Sequence, residues 1–278
     1  MKLVRKVEKK ISSIDGEIKI ISPLKTDLIS EIFLCTFNDI KSVLRLDFDL
    51  PNWLQNQRYS EFQILDFLKD KRQDQNILYH DSDSGILIRE FHEGKKILDD
   101  DIKKKENLFS LGKEIKKVHQ IETDNFLVND FNDIVENYRS ILKNKIKNDY
   151  FLDQGFQIFD SLSYENELKI FSHNDLTLGN ILWNKKCFFI DWEYASLNSP
   201  YFDLASIISS YNLNNNEIVH LLSGYNKNNH LITEKLRNWT KFTYFLDYIW
   251  RICLIETTKY DEKTLNTSFL KKNLSTFS

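Results

Sequence analysis

The chain has 278 residues, long enough for one large domain or two modest lobes sharing a cleft. Hydrophobic residues make up 41% and charged residues 28%, with a net charge of -3, which excludes a disordered chain and gives no reason to expect a nucleic-acid partner. Three scattered cysteines, Cys35, Cys187 and Cys253, exclude a disulfide framework or a zinc site and read as the reduced thiols of a cytoplasmic protein.

In chain order, the N-terminus is charged with no apolar run behind it, so it does not read as a signal peptide, and no later stretch approaches the ~20 apolar residues that insertion in a membrane needs. Residues 31–37, 42–46 and 85–91 are short, rich in Ile, Leu, Val and Phe, and bounded by polar or turn residues; they predict strands. Between them, Phe62, Leu65, Phe67 and Leu68 recur at helical spacing and predict a helix over 59–68. The basic run Lys103, Lys104 and Lys105 follows three aspartates and reads as a solvated helix start. From about Asp99 the pattern turns helical, with Leu108, Leu111, Ile115 and Val118 on one face and similar periodicity over 202–211 and 239–255. One strand-like island interrupts it, 181–183 and 187–191, joined by a turn at Asn184, Lys185 and Lys186. A β-rich first third followed by a helical remainder predicts an α+β fold with two lobes, residues 1–91 and 92–278.

The chemistry concentrates in residues 171–195. His173, Asn174 and Asp175 open a loop, Asn180 follows, and Asp191 ends an apolar strand. Transfer of a phosphoryl group from a nucleotide needs a group that orients and deprotonates the attacking hydroxyl, and hard oxygen ligands for magnesium ions on the phosphates. Asp175 would be the base, and Asn180 and Asp191 would hold Mg2+. A hairpin running out from Asn180 and back to Asp191 returns the second carboxylate beside the first loop, where like charges call for a divalent cation.

The ordered set His173, Asp175, Asn180 and Asp191 resembles the H-x-D-x-x-x-x-N pattern and following metal-binding Asp of the choline/ethanolamine kinases and aminoglycoside phosphotransferases, relatives of the protein kinases. The run Ile190, Asp191, Trp192, Glu193 and Tyr194, followed by Phe202, Asp203, Leu204 and Ala205, is similar to the choline-kinase branch, including its bacterial members. The resemblance is dense over residues 171–205 and sparse elsewhere. It implies a protein-kinase-like fold, with a nucleotide-binding N-lobe over 1–91 and a helical C-lobe over 92–278 carrying the catalytic loop and acceptor pocket. It also implies ATP as phosphoryl donor and a small-molecule alcohol as acceptor. His173 and Asp203 would support the loop rather than touch substrate.

In the N-lobe, Arg45 on a predicted strand, paired with Glu61 on the following helix, would fix a positive charge over the α- and β-phosphates. Residues 86–91 resemble the strand and hinge between lobes, where the backbone of Glu90 and Phe91 would hold adenine. Relatives carry glycines in the loop over the phosphates; residues 24–30 contain none, leaving Lys25, Thr26 and Ser30 as the candidate contacts and Asp27 as a repelling charge.

For the acceptor, a quaternary ammonium calls for aromatic faces and a carboxylate. Glu193, Tyr194, Tyr211 and Trp250 are the candidates, with Tyr244 and Tyr248 near Trp250 in sequence; for each aromatic, helix-packing core is the competing reading. Trp250 matches one of the two late tryptophans of the choline cage in eukaryotic relatives, but Cys253 stands at the second position, and Ser210 stands where those relatives have a carboxylate. The resemblance thus leaves choline or ethanolamine beside another hydroxylated metabolite, such as thiamine, an amino alcohol, a sugar or an aminoglycoside, and beside a non-catalytic nucleotide-binding pseudokinase.

Overall fold

The computed structural model describes residues 10–277 apart from 13, 70, 72–75, 97–98, 124–127, 164–167, 185 and 226–233. The N-terminal run through Lys9 and the turn residue Lys185, on which two of the sequence expectations fall, lie outside the described residues. The chain divides into two compact units, Met1–Glu93 and Gly94–Ser278.

The first unit is a five-stranded antiparallel sheet with one long helix. Its strands are β1 (Ile18–Thr26), β2 (Ser30–Phe37), β3 (Ile40–Asp47), β4 (Ile77–Asp81) and β5 (Ile86–Glu90), in the order β1-β2-β3-β5-β4. Helix α1 (Asn52–Lys69) lies between β3 and β4 in the chain. It starts earlier than its periodic residues predict because Trp53, Leu54 and Gln57 carry the buried face upstream. Alternation along β3 sets the unit's chemistry. Leu44 and Leu46 point into a core with Cys35, Phe37, Ile86 and Ile88, so Arg45 and Asp47 share the opposite face.

The β1–β2 connection shows how the glycine-free segment is built. Residues 24–26 end β1 and Ser30 opens β2, so only residues 27–29 form the turn, closed by Asp27 N–H donating to Ser30 O at 2.8 Å. No residue there has positive φ, so the turn does not need glycine. Lys25 pairs with Asp27 at 2.7 Å, which offsets the aspartate's charge. The β2–β3 hairpin does need the left-handed region, and Asn38 and Asp39 supply it at φ 47° and 63°. Gly85, with φ 64°, meets the same need before β5, where a Cβ would lie 2.8 Å from Asp47 Cβ.

The second unit is mainly helical: α2 (Asp99–Ile102), α3 (Lys105–His119), α4 (Phe131–Leu142), α5 (Tyr150–Ser163), α6 (Pro200–Ser210), α7 (Asn215–Tyr225), α8 (Glu234–Thr257) and α9 (Thr267–Leu274). Short strands β6 (Lys95–Lys96), β8 (Ile181–Asn184) and β9 (Lys186–Phe189) form one sheet, while β7 (Ile170–Ser172) pairs with β10 (Ser196–Asn198). Strands β8 and β9 make the expected hairpin, though β9 stops short of Asp191. Aromatic side chains fill the core: Phe131, Phe159, Phe202, Trp239 and Phe242 are all buried and in mutual ring contact. No helix among the described residues is long and apolar enough to cross a membrane.

Helices α3 and α7 touch backbone to backbone. A Cβ on Gly224 would lie 1.9 Å from Phe109 O, and one on Gly112 would lie 2.1 Å from Leu221 O. Alanine ordinarily gains about 1 kcal/mol over glycine inside a helix, but here the clash falls on main chain that cannot give. Gly224→Ala is therefore expected to destabilise the protein by about 2 kcal/mol, measured by urea denaturation; a stabilised variant would contradict the close crossing.

Candidate active site

Strand β7 delivers His173, Asn174 and Asp175 into a loop whose shape is set by one buried carboxylate. Asp203, in the first turn of α6, accepts from His173 N–H at 2.9 Å and from Asn174 N–H at 2.8 Å. Its Oδ2 also accepts from His119 Nε2 at 3.0 Å, and His119 Nδ1 meets Tyr225 Oη at 2.8 Å. Burial opposes ionisation of Asp203, yet the hydrogen bond and charge of His119, with those of His173, hold its carboxyl below the ordinary carboxylate range. The Tyr225–His119–Asp203 chain thus joins the ends of α3 and α7 to the loop.

Asn174 takes the left-handed conformation, φ 63°, which turns its amide across to the returning chain. Its Nδ2 donates to Ser196 Oγ at 2.7 Å and to Tyr194 O at 3.1 Å, and its Oδ1 accepts from Asn198 Nδ2 at 2.8 Å. His173 is fully buried, and desolvation pushes its pKa down. Its Nε2 donates to Ile190 O at 3.1 Å, so Nδ1 is left to accept from Asp175 N–H at 3.3 Å. The ring spans from the loop to the residue before Asp191.

Asp175 is half-buried, and its Oδ2 accepts from Asn180 Nδ2 at 2.6 Å. Burial, then the negative charge of Asp191, push its carboxyl well above the usual range, with the Asn180 hydrogen bond opposing. Because Asn180 Nδ2 also donates to Asp175 O at 3.0 Å, its nitrogen is committed and its Oδ1 is the atom available to a cation. Asp191 follows β9 with φ 69°, a conformation Asp tolerates. One oxygen of Asp191 and one of the buried Glu193 lie within 4.8 Å of each other. Trp192 between them is fully buried, stacking on Phe171 and contacting His173, and so pins the turn that carries both carboxylates. The donors Asn180, Asp191 and Glu193 are all hard oxygens, the set that suits Mg2+.

Tyr194 and Trp250 are half-buried and joined by an indole N–H donating to the phenol oxygen at 2.8 Å. Tyr211 is 1% exposed and packed in the interior.

In the first unit, Arg45 makes a bidentate pair with Glu61 at 3.0 and 2.6 Å. Two further residues, not singled out by the sequence, complete a buried tetrad of alternating charge. Asp47 Oδ1 lies 3.3 Å from Arg45 Nε and 3.4 Å from Arg58 Nε, and Arg58 reaches Glu61 at 3.5 Å. Each charge therefore faces two of opposite sign, which offsets much of the desolvation cost. The expected adenine contacts need adjusting. Glu90 N–H donates to Asn76 O and Phe91 N–H to Lys41 O, both at 2.9 Å, so these two residues have only carbonyls to offer a base.

A model of the choline/ethanolamine kinase family matches residues 18–249. A LicA homologue of Mycoplasma capricolum is 27% identical over 135 residues, 48% of this chain and 55% of the relative, so the match spans about half that protein's length. The crystal structure of choline kinase LicA from Streptococcus pneumoniae superposes with a TM-score of 0.73 at 18% identity, covering 99% of this chain and 100% of that one. The streptomycin–ATP complex of APH(2")-IIa superposes with a TM-score of 0.62 at 17% identity, covering 98% and 95% of the two chains. At these identities the structural likeness is one of fold, and the fold is the protein-kinase-like α+β fold expected from the sequence.

Asp203→Asn removes an acceptor and places an amide N–H against backbone donors. It is expected to cost about 3 kcal/mol at pH 7, measured by denaturant titration. The folded-state pKa of Asp203 lies below its unfolded value, so its stabilisation is present above about pH 4 and lost as pH falls through the folded value. The stability gap between wild type and variant should narrow in acid; a gap independent of pH would contradict the assignment.

Proposed function

This chain belongs to the choline/ethanolamine kinase family, and on that footing we propose that it transfers the γ-phosphoryl of ATP to the hydroxyl of choline or ethanolamine. The observation that carries this reading is the carboxylate of Asp175, held by Asn180 on a loop bound by Asp203 and tied through His173 to the residue preceding Asp191.

Phosphoryl transfer passes through a loose transition state with charge spread over the transferring oxygens, so positioning and electrostatics do most of the work. Asp175 accepts the hydroxyl proton as the acceptor oxygen attacks, and its hydrogen bond from Asn180 holds the accepting carboxylate in one orientation. His173, with both ring nitrogens committed, keeps the loop in place and moves no proton. Asn180 Oδ1 and Asp191 would hold magnesium, with Glu193 adding a third hard oxygen. The ion, when bound, supplies positive charge for the β- and γ-phosphate oxygens. Residues 1–91 take the nucleotide, with Arg45, aimed by Glu61, placing a guanidinium over the α- and β-phosphates. In residues 92–278, Tyr194 and Trp250 offer π-faces to the acceptor's ammonium group.

ADP release in the presence of magnesium, measured over choline, ethanolamine, thiamine, a sugar and an aminoglycoside, tests the reading. Turnover dependent on choline or ethanolamine is expected; preference for another alcohol, or hydrolysis indifferent to acceptor, would overturn it. Asp175→Ala should lower kcat by about 10²–10⁴-fold while leaving ATP binding near wild type. Arg45→Ala should raise the KM for ATP more than that for the acceptor, and the reverse order would remove Arg45 from the nucleotide site.

A further inference from the structure

We propose that Tyr225, the last residue of α7, is a positioning residue for the transfer, acting through His119 and Asp203 on the loop that carries Asp175. The inference rests on the kinase reading given above and is independent of which alcohol is the acceptor.

The close crossing of α3 and α7 is what brings Tyr225 to His119. Gly112 and His119 are seven residues apart on α3 and so share a face of that helix. On α7, Gly224 directly precedes Tyr225. A Cβ at Gly112 would lie 2.1 Å from Leu221 O and 2.8 Å from Tyr225 N, and one at Gly224 would lie 1.9 Å from Phe109 O. The main chain of Tyr225 is therefore seated against the His119 face of α3, with no room to withdraw or rotate. Its phenol meets the imidazole edge to face, with centroids 5.4 Å apart and Oη 2.8 Å from Nδ1.

The His119 side chain is 3% exposed and the Asp203 side chain not at all. An ionised carboxylate only accepts, so His119 Nε2 carries the proton that it donates to Asp203 Oδ2 at 3.0 Å. Nδ1 then belongs to Tyr225 in either charge state of the ring. A neutral imidazole accepts the phenol proton there, and a protonated one donates to the phenol oxygen. The phenol thus fixes the rotation of the ring, and the ring fixes the carboxylate oxygen that also receives His173 N–H. The other oxygen receives Asn174 N–H, and Asp175 is the next residue. A side chain that never meets a substrate in this way bears on the direction of the base. In Tyr225→Phe the ring remains against α3, but Nδ1 faces carbon and the imidazole loses the partner that sets its rotation.

A hydrogen bond that merely ties two helices makes different predictions. It would add to stability alike in any background and leave the rate per nucleotide-competent site alone. The experiment compares wild type with Tyr225→Phe, His119→Ala, the double variant and His119→Gln, using magnesium, ATP and the best acceptor of the wild type. The kcat is expressed per ATP-binding site counted by calorimetry, so that misfolded protein does not enter it. Tyr225→Phe should lower this kcat about fivefold and leave the KM for ATP within twofold. His119→Ala should lower it further, and adding Tyr225→Phe to His119→Ala should cost less than another twofold, the signature of coupled residues. His119→Gln, which restores an N–H near the Nε2 position, should recover part of the loss. Should His119→Ala bind no ATP, His119→Gln serves as the background. A Tyr225→Phe kcat within twofold of wild type, or the same fivefold fall in both backgrounds, would overturn the role of Tyr225 alone. A wild-type protein without acceptor-dependent ADP release would overturn the kinase reading and this inference with it.

Discussion

The carboxylate of Asp203 accepts hydrogen bonds from two consecutive backbone N–H groups, His173 and Asn174, and from the His119 ring. An unpaired carboxylate with no solvent exposure would be expensive, so these donors are what make its position tolerable. Asp203 also lies in the first turn of α6, where the helix dipole favours negative charge. Once two successive amides are bound, the chain through them has little freedom left. Asn174 is held in its left-handed turn, its side chain reaches the strand leading to α6, and Asp175 emerges in one direction. The carboxylate proposed as the base owes its placement to groups that never need to touch a substrate.

The first unit handles a guanidinium by a related means. Arg45 is buried, and Glu61 alone would balance its charge; Asp47 and Arg58 turn that pair into an alternating tetrad. Each member restrains the direction of its neighbours, so the guanidinium has a fixed orientation. In both units, the groups expected to meet phosphate or hydroxyl are fixed by buried partners of opposite charge or by backbone donors. That arrangement suits a reaction whose catalysis is chiefly a matter of fixed charges at fixed places.

Much of this was legible in the sequence where spacing along one segment determines proximity in space. Asp175, Asn180 and Asp191 belong to a loop and a short hairpin, so local pattern was sufficient to group them. Arg45 followed from alternation along β3. Partners distant in the chain were not legible: His119 lies on α3 and Tyr225 at the end of α7, and nothing in either helix's periodicity announces a hydrogen bond to Asp203. Strands β7 and β10 have three residues each, too short for an alternation to register. Asn174 looked like a spacer between two motif residues, yet its left-handed backbone makes it the tie between loop and strand. The glycine-free segment at 24–30 suggested a poor phosphate loop. It is built as the end of one strand, a three-residue turn without positive φ, and the start of another, so the turn itself needs no glycine. The hydrogen bonds that Glu90 and Phe91 N–H make to Asn76 and Lys41 were not legible either, since they depend on tertiary contacts.

The most direct test of this account is a crystal structure with magnesium, a non-hydrolysable ATP analogue and choline. The account predicts a divalent ion ligated by Asp191 and the Asn180 side-chain oxygen, with the choline hydroxyl within hydrogen-bonding distance of the Asp175 carboxylate. An ion bound away from those residues, or an Asp175 side chain turned from the hydroxyl, would contradict it.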